Sequence, residues 1–235
     1  MNTIIHKAEQ RGQAEHGWLH ARHSFSFAEY YDAERMGFGK LRVINDDIID
    51  PGAGFDTHGH DNMEIVTVPL SGTLQHQDSM GHTQVIQPGE VQHMSAGSGI
   101  RHSEYNHSQS EPLNLLQIWV LPKERDITPS YTQKEFDTSE RQNQWQLLVS
   151  PGAEDGAIGI NQEAWFLRGD FAAGQQGHYR LHQPEHGVYL FVIDGAVDVA
   201  DTALSRRDAV GLTGFTEFEL TAQQDSQLLL IEVPM

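Results

Sequence analysis

The chain has 235 residues, 38% of them apolar, with 22 glycines, no cysteine, and 15 basic against 33 acidic residues for a formal charge of −18. That length buries a core as one large β domain or two moderate ones, and the composition speaks against disordered and disulfide-stapled classes. The charge argues against direct nucleic-acid binding: the field repels phosphate, and the densest basic spots, Lys123/Arg125 and Arg206/Arg207, are too small to reverse it.

From the start of the chain, "MNTIIHKAEQRGQAEHG" carries no apolar stretch of the secretory kind, and no later run is long enough to span a bilayer. A soluble, cytoplasmic protein without a membrane partner is therefore expected. Short runs rich in Val, Ile, Leu and Phe follow, each closed by Gly, Pro, Asn or Asp: "LRVINDDIIDPGAG" from Leu41, "EIVTVPLSG" from Glu64, "HTQVIQPGE" from His82 and "LNLLQIWVLP" from Leu113. After residue 122 the chain turns polar up to about residue 144, with a short helix expected at 137–148. Then "GVYLFVIDG" from Gly187 and "SQLLLIEVP" from Ser226 resume the pattern. Such spacing predicts an all-β sandwich or barrel. The two halves also resemble each other. A shift of 123 residues places Gly54 on Gly177 and Gly72 on Gly195, which points to two copies of one β unit. The expected units are 1–125 and 144–235, joined by a linker at 126–143.

Two short spacings carry the chemistry. In "THGHDN", His58 and His60 are two apart; in "SAGSGIRHSEYN", so are His102 and Glu104. On a strand, residues i and i+2 share a face, whereas on a helix they diverge. If the two strands face one another, three imidazoles and one carboxylate converge. That set suits Fe(II), Mn, Co, Ni, Cu or Zn rather than Ca or Mg. With 14 histidines, one close pair is weak grounds, and the second pair in a matching context is what gives it force. His6, His16, His20 and His23 have no paired geometry. His76, His82, His93 and His107 stand alone and read as surface or hydrogen-bonded structural residues.

The run Gly52 to Glu64, G-x5-H-x-H-x3-E, followed by Gly72, resembles the first cupin motif. "SAGSGIRHSEYN" resembles the second, with a two-residue insertion and Ser95 where proline is usual. "HSFSFAEYYD", "MGFGKLRVINDD", "THGHDNMEI", "MSAGSGIRHSEYN" and "LQIWVLP" together resemble the signature blocks of the pirin family, above all its short bacterial members described as quercetinases. The resemblance implies an all-β bicupin of two antiparallel jelly-roll barrels. It implies one divalent transition metal in the N-terminal barrel, Fe(II) first, held by His58, His60, His102 and Glu104. Glu64, the nearest counterpart of the carboxylate ligand many cupins take from the first motif, sits one residue out of register and reads as a supporting residue.

In the C-terminal copy His58 and His60 fall on Leu181 and Gln183, so no metal is expected there. His178, His182 and His186 follow at i, i+4 without a converging carboxylate strand. The implied activity is dioxygen-dependent cleavage of a flavonol such as quercetin, with a small aromatic substrate, O2, and Glu104 as the general base. The alternative implied by animal pirins is a redox-sensing co-regulator acting through protein partners, and an isomerase or hydrolase on the same scaffold is a third.

Overall fold

The computed structural model describes residues 1–235, and its regular secondary structure is almost entirely strand. Every apolar run picked out above forms one: Leu41–Ile49, Glu64–Ser71, Thr83–Ile86, Leu113–Val120, His186–Asp194 and Ser226–Pro234. The 137–148 segment is not a helix. Asp137 accepts a hydrogen bond from the Ser139 N–H and caps a single 3-10 turn, Thr138–Arg141, and Trp145–Ser150 then runs as a strand. Leu147 and Leu148 pack into different apolar clusters on opposite sides of the chain, a period of two that tertiary packing imposes over any helical preference.

The strands form two jelly rolls with the same plan. In the N-terminal unit a seven-stranded sheet runs in the order Ser130–Glu135, Glu90–Ser95, Glu64–Ser71, Leu113–Val120, Leu41–Ile49, Leu19–His23, Gly12–Glu15. Facing it, a four-stranded sheet runs Gly54–His60, Ile100–Asn106, Leu74–Asp78, Thr83–Ile86. The C-terminal unit repeats both. Its seven-stranded sheet runs Asn2–His6, Ala209–Thr213, His186–Asp194, Ser226–Pro234, Trp165–Phe171, Trp145–Ser150, Ile158–Gly159, and its four-stranded sheet runs Gln176–Arg180, Glu217–Ala222, Ala196–Val199, Thr202–Ser205. The sheets do not close, so each unit is an open barrel. The matching glycines have matching causes. Gly72 and Gly195 both have positive φ, 78° and 90°. A Cβ would lie 2.6 Å from the Pro112 carbonyl oxygen at the first and 2.3 Å from Ser226 Oγ at the second. No helix is long and apolar enough to cross a membrane.

The two seven-stranded sheets pack face to face. Ile44, Val66, Val68, Leu116 and Ile118 of one and Phe166, Tyr189, Phe191, Leu229 and Ile231 of the other belong to a single cluster of 24 buried residues. This explains the continuous apolar runs, since those strands bury one face inside a barrel and the other between barrels. The interiors differ. The C-terminal barrel is filled by one cluster of 17 apolar residues. The N-terminal barrel has only clusters of seven and four, and polar side chains occupy the space between them.

Each unit is completed by a strand from outside the span expected for it. Ser130–Glu135, within the stretch read as a linker, pairs with Glu90–Ser95. Asn2–His6, at the start of the chain, pairs with Ala209–Thr213 of the C-terminal unit. There the His6 Nδ1 and Tyr189 hydroxyl groups are hydrogen-bonded at 2.8 Å in the buried seam. Replacing His6 by Ala should therefore destabilise the protein by about 1–3 kcal/mol, the scale for stranding a buried polar partner. Urea unfolding followed by the C-terminal tryptophans checks this, and an unchanged midpoint would show that the first strand is only loosely seated.

Candidate functional site

The four-stranded sheet of the N-terminal unit positions the histidines. His102 lies directly opposite His58 in the antiparallel register, and Ile100 opposite His60. One extra residue in Gly54–His60 forms a bulge between His102 and Glu104, so Glu104 faces Phe55 and not Asp56. Asp56 turns outward and takes a hydrogen bond from the Tyr105 hydroxyl. Bulges re-aim side chains next to sites in this way.

The rings of His58, His60 and His102 come together, with centroids 4.8, 4.5 and 4.9 Å apart. One ring nitrogen from each lies within 4.8 Å of the other two. The His58 Nδ1–H donates to the Asp56 carbonyl at 2.8 Å, leaving Nε2 with a free lone pair. His60 Nε2 and both nitrogens of His102 are buried with no hydrogen-bond partner. Buried polar atoms are rarely left unpaired, and two imidazoles in that condition, clustered with the free Nε2 of His58, fit a transition-metal ion. Their protonation fits as well. Burial, followed by the neighbouring His102 and His58 rings, pushes His60 down to about 4. Burial, then His58 and His76, pushes His102 to about 3. Both are therefore neutral at pH 7, the form a metal requires.

Glu104 is buried beside them. Its Oε2 accepts from Gln117 Nε2 at 2.7 Å, and its Oε1 from Gln92 Nε2 at 3.3 Å. The Gln117 amide has one orientation, because the Trp119 indole N–H can only donate and does so to Gln117 Oε1 at 3.2 Å. The Tyr131 hydroxyl lies 3.3 Å from Gln92 Oε1 and 3.1 Å from Gln133 Oε1.

His76 stands on the other side. A nitrogen of its ring lies within 4.8 Å of ligand atoms of His102 and Glu104, and its Nε2 pairs with Asp78 Oδ2 at 3.2 Å. Although read from the sequence as a lone structural histidine, it is fully buried against the cluster. His76-x-Asp78 has the same i, i+2 spacing as the other two pairs, and that was the available signal. Glu64 points elsewhere. Strand parity sends it to the outer face, where His93 Nε2, Ser95 Oγ and the Asn161 N–H of the other unit donate to it at 2.8, 2.6 and 3.1 Å. Burial raises its pKa, but those bonds outweigh burial and hold it below the ordinary carboxylate value. It joins the two units and is remote from the histidine cluster.

A cavity of about 250 Å³ opens onto the cluster. It is lined by Leu19, Ala21, His23, Phe27, Asn45, Asp47, Phe55, His58, His60, Glu104, Gln117 and Trp119. The aromatic wall is ordered edge to face: Phe27 and His60 both meet Trp119, at 5.3 and 4.9 Å. His23, for which the sequence offered no ligand-type pairing, is hydrogen-bonded through Nδ1 to Asn45 Oδ1 at 2.8 Å. Burial, with Asp46 and Glu104 nearby, pushes Asp47 up to about 8.

In the C-terminal unit a carboxylate does converge on the histidines, contrary to the sequence expectation. Glu232, fully buried, takes hydrogen bonds from the Tyr179 hydroxyl at 2.7 Å, His182 Nδ1 at 3.2 Å and His186 Nδ1 at 3.0 Å, and from the backbone N–H groups of His182 and Gln183. These bonds make a saturated structural knot. His178 lies exposed at 3.3 Å from Glu219.

The profile described as Pirin matches residues 5–120, and that of the quercetinase C-terminal cupin domain matches residues 147–233. The chain is 44% identical over 230 residues to quercetin 2,3-dioxygenase of Escherichia coli (strain K12), covering 98% of both chains. It is 40% identical over 225 residues to a pirin-like protein of Caulobacter vibrioides, covering 95% of this chain and 96% of that one. Among solved structures, bacterial pirin YhhW from Escherichia coli in complex with nickel(II) superposes with a TM-score of 0.94 at 43% identity, over 99% of each chain.

Proposed function

The chain belongs to the pirin family, with the bicupin fold of that family, and from that membership we propose that it is a metal-dependent dioxygenase cleaving flavonols such as quercetin with O2. The observation that carries the reading is the cluster of His58, His60 and His102 ring nitrogens beside Glu104, with His60 Nε2 and both nitrogens of His102 buried and unpaired, at the end of an aromatic-lined cavity. In this proposal those four residues hold one divalent ion per chain. Fe(II) is the ion proposed, and nickel(II) is the ion in the related Escherichia coli structure. The absence of cysteine suits a reducing cytoplasm, which belongs to the same proposal.

The bound ion would supply Lewis acidity toward the adjacent oxygens of a chelating substrate. The protein does the rest. Glu104 accepts the proton of the flavonol 3-hydroxyl, and Gln117 and Gln92 hold its carboxylate in place for that transfer. Phe27, Phe55, Leu19 and Trp119 pack against the flat rings and exclude water.

The test begins with metal analysis of the purified protein, followed by aerobic flavonol assay with each candidate ion. One ion per chain is expected, and added metal should raise the melting temperature of the N-terminal unit while the C-terminal unit responds little. Two ions per chain, or full occupancy in a His58→Ala/His102→Ala double variant, would overturn the ligand set. A metal-replete protein that consumes no flavonol would overturn the activity.

A further inference from the structure

Strand Leu41–Ile49 carries two aspartates side by side, and its pleat sends them to opposite faces. Asp46 faces the other unit and is well partnered. Arg11 Nη1 donates to it at 3.1 Å, Asn114 Nδ2 donates at 2.9 Å, and Arg207 Nε lies 3.4 Å away. Asp47 faces the cavity, only 4% exposed, and its Oδ1 has no partner at all.

The rest of the cavity wall sharpens the contrast. Among the twelve lining residues, only His60 Nε2 and Asp47 Oδ1 are buried polar atoms without a hydrogen bond. The metal proposal accounts for His60. His23 is committed to Asn45, and Gln117 to Glu104 and Trp119. Asp47 is the polar group left over. A valine would suit a buried strand position better, and an unpaired buried carboxyl weakens the fold. A position that breaks a local rule without a local gain is where a binding function is expected.

We propose that Asp47 is a substrate-positioning residue, pairing with a phenolic hydroxyl of the flavonol other than the oxygens that reach the metal. This rests on the flavonol reading above. The ligand class it selects is a polyhydroxylated aromatic. A ring system with only the chelating oxygens would bind but leave Asp47 unpaired, and sites built around a hydrogen bond discriminate strongly against analogues that lack it.

The experiment uses the full-length, zinc-loaded protein under nitrogen, so that binding is read without turnover. Quercetin is compared with 3-hydroxyflavone, which keeps the chelating oxygens and has no other hydroxyl, by fluorescence titration. The parent should favour quercetin by about tenfold or more, and Asp47→Val should shrink that preference to about twofold, the span of one buried hydrogen bond. Metal content should stay at the parent value. The melting temperature of Asp47→Val should rise, because the unpaired carboxyl is gone, and a purely structural residue would not combine higher stability with lower selectivity. The isosteric Asp47→Asn guards against a packing defect and should lose several-fold of the preference. If both variants discriminate as the parent does, this proposal alone is overturned. If the parent binds neither compound, the flavonol reading falls and takes this proposal with it.

Discussion

Metal-loaded Glu104→Gln should turn over flavonol at least about 10²-fold more slowly than the parent, the scale of a general base. The three histidines of the proposed set spend their lone pairs on the ion, whereas a carboxylate that binds through one oxygen keeps the other. Glu104 is 2% exposed, and both of its oxygens are held by glutamine amides, that of Gln117 fixed in orientation by Trp119. The substitution sets an NH2 against one of those donors, so a stability loss of about 1–3 kcal/mol is expected alongside the catalytic one. Metal content and melting temperature separate the two effects. A folded, metal-replete variant with parental turnover would remove Glu104 from the base role and turn attention to Asp47, the other carboxyl in the cavity.

Acid should unfold the metal-free protein at a pH where most globular domains are still near their maximum stability. His6 and His102 are held down by burial to about 4 and 3 from an ordinary 6.5, and half-buried His60 to about 4 with more solvent screening. A histidine with a lowered folded pKa contributes stability above its unfolded value, and that contribution is lost as the pH falls toward the folded one. Asp47 works in the opposite sense. Its pKa of about 8 in the fold, against 3.8 unfolded, gives the native state an extra proton across the same window. The net uptake on unfolding is between about one and two protons, or about 1.4–2.7 kcal/mol per pH unit below pH 6.5. Two units of acidification then consume much of the 5–15 kcal/mol typical of a domain. Urea midpoints measured from pH 7 to pH 4.5 would show the decline, and His6→Phe should flatten it. A level profile would mean that the histidines charge without unfolding the protein.

The strands and the two residue pairs of the proposed metal set were legible because both follow a period of two: "LNLLQIWV" reads as a strand, and His58/His60 and His102/Glu104 fall on one face each. The rest of the site was hidden by the same rule. In most sheets the polar side of a strand faces water, but here the outer faces of the large sheet are apolar because the second barrel covers them. Ile44, Leu116 and Ile118 point outward into that contact, and Asn45, Asp47, Gln117 and Trp119 point inward. A reader applying the usual polarity puts those four on the surface. The same parity places Glu64 outside, in line with its position one residue out of the motif register. Residues 137–148 were misread because their apolar positions serve two different clusters, which only the folded packing distinguishes.

The pairing of Asn2–His6 with Ala209–Thr213 also sets an order of events during synthesis. At about 5–20 residues per second, the first strand leaves the ribosome roughly 10–40 s before its partner exists. The N-terminal unit obtains its own closing strand, Ser130–Glu135, well before that. The chain therefore finishes one barrel while its earliest segment is still unpaired, and the second barrel must later capture that segment. Closing so long a loop adds only a logarithmic entropy cost, but such non-local pairing is slow. The late step in refolding should accordingly be docking of the first strand, and a bulky fusion at the N-terminus should retard maturation of the C-terminal unit more than that of the unit it adjoins.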